Sequence, residues 1–121
     1  MGKKILIVDD ALFMRRVIRK NLEECGCSEI AEAADGEEAL ELYRQQRPDL
    51  VLLDITMPGM SGLEVLEALC RDYPEARVVM CSAVGQDQMI ANALMLGARD
   101  FIVKPFKADE FKKIVENALA D

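Results

Sequence analysis

Short, unbroken apolar runs separated by helix-length amphipathic stretches constrain this chain more than anything else in it. The runs are Ile5-Leu6-Ile7-Val8, Leu50-Val51-Leu52-Leu53, Val78-Val79-Met80-Cys81 and Phe101-Ile102-Val103. Runs of that length without polar alternation, between turn signals, read as strands buried on both faces. Between the first run and Cys25, apolar residues recur at Met14, Ile18, Leu22 and Cys25, a helical stripe that Gly26 closes. Glu29 to Ala34 alternates at first, as an edge strand does. Asp35 can cap a helix carrying Ala39, Leu40 and Tyr43, which Pro48 stops. Met57-Pro58-Gly59-Met60-Ser61-Gly62 is rich in turn residues, and the following helix carries Leu63, Leu66 and Leu69 towards Pro74. Gln86 to Leu96 sets Ile90, Ala93, Leu94 and Gly97 on one face; the last helix does the same with Phe111, Ile114, Val115, Ala118 and Leu119. Strand then helix, five times over, predicts an α/β fold: one (βα)5 doubly wound unit with a parallel sheet covered on both faces and right-handed crossovers.

The 121 residues, 51% of them hydrophobic, suffice for one core and leave no room for a second, so residues 1–121 are expected to form a single domain. The chain has no histidine, which excludes a Ser-His-Asp triad, a His-ligated metal and a phosphohistidine on this chain. A net charge of −7 argues against direct nucleic-acid binding. Cys25 and Cys27 form C-x-C, while Cys70 and Cys81 stand alone in apolar surroundings; all four read as reduced structural thiols, without zinc-site spacing. The first apolar run ends at Asp9, too early for a signal peptide, and no segment is long enough to span a membrane. Gly2 suggests lipidation, but Leu6 stands where Ser or Thr is needed. The expectation is a soluble, cytoplasmic protein with no membrane attachment.

The polar residues that end the strands carry the chemistry. The first strand ends at Asp9-Asp10, the third at Asp54, the fourth at Ser82 and the fifth at Lys104. Open α/β sheets bind ligands outside the carboxyl ends of their strands, so one sheet edge collects three carboxylates, a hydroxyl and an ammonium. Two carboxylates about 4 Å apart repel by roughly 4 kcal/mol at an effective dielectric near 20. Three would raise a pKa or recruit a cation, and hard oxygen donors favour Mg²⁺. A carboxylate can be the nucleophile in phosphoryl transfer, where charge neutralisation and positioning do most of the catalysis. Asp54, alone between the acidic pair and Lys104, is the candidate.

The set Ile7-Val8-Asp9-Asp10, Asp54 followed by Met57-Pro58, Ser82-Ala83, and Lys104-Pro105-Phe106 resembles the receiver domain of two-component response regulators over nearly the whole chain. Phe13-Met14-Arg15-Arg16 and Phe101 to Phe106 look most like the single-domain chemotaxis regulators of that family. The resemblance implies a flavodoxin-like fold with strand order 2-1-3-4-5, and a cis bond between Lys104 and Pro105. It implies that Asp54 accepts a phosphoryl group from a histidine kinase. Mg²⁺ would be held by the side chains of Asp10 and Asp54, by Asp9 through water, and by the backbone carbonyl of Thr56. Lys104 would pair with a phosphoryl oxygen. Ser82 and Phe101 would switch together on phosphorylation, and Thr56 and Val84 would tune dephosphorylation beside a small, open Ala83. The implied partners are the kinase, a flagellar motor switch protein or another output protein, and a phosphatase; the acting species would be a monomer. Such a protein assists its own phosphorylation and dephosphorylation without being a turnover enzyme. Two residues depart from the commoner pattern: Ser82 stands for Thr, and Phe101 for Tyr, which removes a hydroxyl a partner could use.

Singly, these residues have plainer readings. Asp9-Asp10 could cap the first helix, Ser82 could be a satisfied loop hydroxyl, and Lys104 a solvated lysine. Met57 and Met60 read as packing. Gln88, Asn92 and Met95 face outwards on the fourth helix, and Lys107, Lys112 and Lys113 lie nearby; they are either solvated or part of the family's output face. Three other functions compete with the switch. A haloacid-dehalogenase-like phosphatase would carry its nucleophile after the first strand, an order reversed here. A flavodoxin-like carrier would need a phosphate-binding first turn instead of an acidic one. A receiver excised from a longer DNA-binding regulator would end where this chain ends.

Overall fold

The computed structural model describes residues 3–120; Met1, Gly2 and Asp121, with the readings of Gly2 and of the chain end, lie outside it. Strands and helices alternate: β1 (Lys4–Val8), α1 (Leu12–Glu24), β2 (Glu29–Ala33), α2 (Gly36–Gln46), β3 (Leu50–Asp54), α3 (Gly62–Asp72), β4 (Val78–Ala83), α4 (Asp87–Leu96), β5 (Asp100–Lys104) and α5 (Ala108–Leu119). The strands pair in parallel in the order β2-β1-β3-β4-β5. Alternation divides the core in two. Leu6, Val8, Val51, Leu53, Val78 and Met80 pack under α2, α3 and α4. Ile5, Ile7, Leu50, Leu52, Val79 and Cys81 pack under α1 and α5, against Ile18, Leu22, Phe111 and Val115. β1 and β3 are fully buried beyond Lys4, which is why they carry no polar alternation.

Local signals set the joints. Gly26, at φ 91°, ends α1, and the Cys27 N–H donates to the Leu22 carbonyl. Asp35 Oδ1 accepts from the Glu38 N–H at 2.8 Å to start α2. Ser61 and Glu64 form a reciprocal capping box that starts α3. The next residue, Gly62, donates its N–H to the Ile55 carbonyl at 2.9 Å. A Cβ on Gly62 would lie 2.1 Å from the Asp54 carbonyl oxygen. The first turn of α3 therefore sits directly on the backbone that presents Asp54.

Two expectations need correction. Phe101 to Val103 is not a buried run: only Ile102 is buried, and Val103 is 36% exposed. β5 is an edge strand, and α4 and α5 cover its two faces incompletely. In α4, Ile90 and Ala93 are buried, but Leu94 and, just past the helix end, Gly97 are not. A helix over a sheet edge offers the core a narrower stripe than one over its centre, so an apolar residue at core spacing stays in solvent. No helix among the described residues is long and apolar enough to cross a membrane.

Candidate functional site

In this strand order the chain leaves β1 for one edge and returns at β3 towards the other, so the reversal lies between those two strands. Asp9 follows β1, and Asp54 is the last residue of β3. Both are buried, Asp9 2% and Asp54 7% exposed, whereas Asp10 is exposed. Carboxylate oxygens of Asp9, Asp10 and Asp54 lie within 4.8 Å of one another. Lys104, at the end of β5, reaches across with Nζ 3.4 Å from Asp54 Oδ1 and 3.5 Å from Asp9 Oδ2. The Lys104–Pro105 bond is cis. The acidic pair does not cap α1: its N-cap is Ala11, without a side-chain cap, and Asp9 Oδ1 instead accepts from the Ala11 N–H at 2.9 Å.

Electrostatics leave the site short of positive charge. Burial pushes the Asp54 carboxyl above its ordinary 3.8; Lys104 pulls it down, and the Asp9 charge pushes it up again. Burial also works against the Lys104 ammonium, yet Asp54 and Asp9 outweigh it and hold the group charged beyond the usual lysine range. One ammonium faces three carboxyl groups. A hard divalent cation fits this oxygen set, since it removes the repulsion that burial amplifies. Cys81 pairs in register with Asp54, but complete burial pushes its thiol up to about 12, so it offers no nucleophile. All four cysteines are free thiols.

Ser82 lies inside β4 instead of following it, and is fully buried. Its Oγ is a buried polar side-chain atom without a hydrogen-bond partner among the described residues. Such a group costs about 1–3 kcal/mol, a penalty a new acceptor would relieve. Met80 pairs with Phe101, and Ser82 follows Met80 by two residues, so Ser82 and Phe101 lie on the same face of the sheet. Phe101 packs against the α2–α4 side of the core. Thr56 donates its N–H to Asp54 Oδ1 at 3.4 Å, and Val84 is 79% exposed on the loop after β4.

Two residues to which the sequence assigned no role at the site adjoin it. Arg15 Nη1 donates to the Asp9 carbonyl at 2.7 Å, while Nε donates to Glu32 on β2 at 3.0 Å. Gln86 bonds to both Thr56 and the Ala83 backbone. The available signals were faint: a one-turn arginine pair, Arg15 and Arg19, opposite an acidic residue on the edge strand, and a glutamine where α4 needs a capping residue. Burial raises the Glu32 pKa, but hydrogen bonds from Arg19 and Arg15 prevail and hold it below its ordinary 4.5. That stabilisation is complete above pH 4.5 and is lost as pH falls through the lowered value. Arg15→Met should cost about 1–2 kcal/mol in urea unfolding at pH 7. The gap from wild type should narrow below pH 4.5, keeping only the part due to the Asp9 carbonyl. A gap independent of pH would discount the Glu32 contact.

The family model for the response regulator receiver domain matches residues 5–116. The chain belongs to the receiver domain family. Among its relatives, chemotaxis protein CheY of Listeria monocytogenes is 49% identical over 115 residues, 95% of this chain and 97% of that one. Chemotaxis protein CheY of Bacillus subtilis is 46% identical over 119 residues, 98% of this chain and 99% of that one. Among solved structures, a putative response regulator from Chloroflexus aurantiacus superposes with a TM-score of 0.94 at 28% identity, covering 100% of both chains. The receiver domain of NtrX from Brucella abortus gives 0.91 at 38% identity, over 96% of this chain and 98% of that one. This receiver is thus a phosphorylation-controlled signalling switch of a two-component system, not a turnover enzyme, and needs a kinase phosphodonor and an output target.

Proposed function

We propose that Asp54 is the phosphoacceptor and that residues 1–121 act as one receiver domain. The observation that carries this reading is the buried Asp54 carboxylate with Lys104 Nζ at 3.4 Å, beside the partnerless hydroxyl of Ser82. An Asp54 oxygen forms the new P–O bond while the P–N bond of a kinase phosphohistidine breaks; the electron pair leaves with the imidazole nitrogen, which takes up a proton. Lys104 pairs with a phosphoryl oxygen as charge moves onto Asp54. Asp10, Asp54 and the Thr56 carbonyl would hold Mg²⁺ directly. Asp9 would act through water, a role supported by its two oxygens already accepting from Ala11 and Lys104. Mg²⁺ bound there supplies the charge neutralisation that one lysine cannot.

The phosphoryl group brings a charge of about −1.5 to −2 and new acceptor oxygens. Ser82 donates to one of them, and Phe101, on the same sheet face, repacks with it. Thr56 and Val84 set the approach of hydrolytic water, so the protein assists its own dephosphorylation. The output reading is chemotaxis, with a flagellar motor switch protein as target, a phosphatase for reset, and a cytoplasmic monomer as the acting species. The names of the relatives support it, as do exposed Met89, Leu94, Met95 and Val103 on α4 and β5.

Intact mass after incubation with Mg²⁺ and acetyl phosphate tests the site. One phosphoryl adduct is expected, absent with EDTA. An adduct that survives in Asp54→Asn would place the acceptor elsewhere. Ser82→Ala should still be phosphorylated but lose most of the gain in partner affinity; undiminished coupling would remove Ser82 from the switch.

A further inference from the structure

Gln86 occupies the N-cap position of α4 but does not cap it; its backbone is at φ −102°, ψ 34°, its side chain makes no capping bond, and its one contact with the helix is a long one, from Nε2 to Met89 Sδ at 3.8 Å. The amide folds back over the site instead. Oε1 accepts from the Ala83 N–H at 2.6 Å, and Nε2 donates to Thr56 Oγ1 at 2.7 Å. These short contacts join the loop after β3 to the end of β4, on the two strands that pair Asp54 with Cys81. One residue before Ala83, the Ser82 hydroxyl has no partner among the described residues. The end of β4, beyond the Cys81 that pairs with Asp54, therefore holds two neutral donors: a hydroxyl without a partner among the described residues, and a backbone N–H that Gln86 has taken.

We propose that Gln86 is a positioning residue, a clasp that holds the Ala83 N–H and the Thr56 hydroxyl together in the unphosphorylated protein and sets the cost of recruiting β4 to the phosphoryl group. The inference rests on Asp54 being the phosphoacceptor. An aspartyl phosphate has more acceptor oxygens than Lys104 can satisfy, so it draws on the donors of β4. Ser82 can answer without losing a bond. Ala83 can answer only if the clasp opens, and Thr56 is released in the same step. Gln86 thus favours the resting conformer without touching the phosphoryl group, and its removal shifts the population towards the active one.

Beryllofluoride with Mg²⁺, a non-covalent phosphoryl mimic, provides the test. Gln86→Met keeps side-chain length and helix propensity but removes the strong donor and acceptor. It should bind beryllofluoride about fivefold more tightly than wild type, the factor that one net hydrogen bond supplies. The Ala83 amide resonance should lose its hydrogen-bonded shift in the unliganded variant. Thr56→Val cuts one arm of the clasp and should tighten binding less. The double variant should match Gln86→Met alone, because both act on one contact. Wild-type or weaker affinity in Gln86→Met would overturn the clasp, as would additivity in the double variant. If Gln86→Met does not fold, unchanged affinity in Thr56→Val overturns it. Failure of the wild type itself to bind beryllofluoride with Mg²⁺ would instead remove the phosphoacceptor reading, and the clasp with it.

Discussion

Asp54→Asn should carry no phosphoryl adduct and, in metal-free buffer at pH 7, should melt several degrees above the wild type. The two effects have one cause. Burial raises the Asp54 pKa above 3.8, Lys104 only partly offsets it, and Asp9 adds to it. A carboxyl whose folded pKa exceeds its unfolded value binds its proton more tightly in the native state. Stability therefore falls as pH rises from 3.8 through the raised value. Asparagine keeps the shape and removes the charge, leaving Lys104 with Asp9 at 3.5 Å. The expected gain is on the order of 1–2 kcal/mol. Mg²⁺ should reverse the ranking: a ligand that binds only the native state adds about 2.7 kcal/mol at a hundred times its Kd. Melting curves of both proteins at pH 4 and 7, with Mg²⁺ and with EDTA, check every part. A variant that melts below wild type in EDTA at pH 7 would mean that the buried charge is not a net cost.

Gly62→Ala should be the most damaging single-methyl change near the site. The added carbon would lie 2.1 Å from the Asp54 carbonyl oxygen and 2.8 Å from Ile55 Cα, and both neighbours are backbone. No rotamer change relieves that overlap, so α3 must move off the end of β3. The Gly62 N–H to Ile55 carbonyl bond at 2.9 Å must then lengthen or break. A loss of about 3 kcal/mol is expected, the upper part of the range for overpacking, with a fall of about 10–15 °C in Tm. Because α3 rests on the backbone of Asp54, phosphorylation by acetyl phosphate should slow even in the folded fraction. Urea unfolding within 1 kcal/mol of wild type would show that the β3–α3 joint yields more easily than its geometry implies.

The strands and most helix boundaries were legible because their causes are local. β1 and β3 are covered on both faces, so selection for burial leaves a run without polar residues. Asp35, Ser61 and Gly26 act through bonds within three to five residues, a distance that spacing in the chain reports directly. The residues of the candidate site were legible for a related reason. A polar residue that interrupts or ends a buried run has no packing role, so Asp9, Asp54 and Lys104 stood out before any fold was known.

The contacts between elements were not legible in that way. Leu94 sits at core spacing but lies in solvent, because α4 covers the edge of the sheet and not its centre. Arg15 holds the Asp9 carbonyl only because α1 lies beside β1 and β2. Gln86 and Thr56 are 30 residues apart, and only the pairing of β3 with β4 makes them neighbours. The partnerless Ser82 hydroxyl is likewise a property of the packed sheet. Hydrophobic period and residue type act locally, and they account for the alternation of strands and helices and for the charged residues at the strand ends. Which loops are tied together, which donors are already taken and how tightly α3 presses on Asp54 follow from strand order, and hydrophobic period does not encode which strands become neighbours.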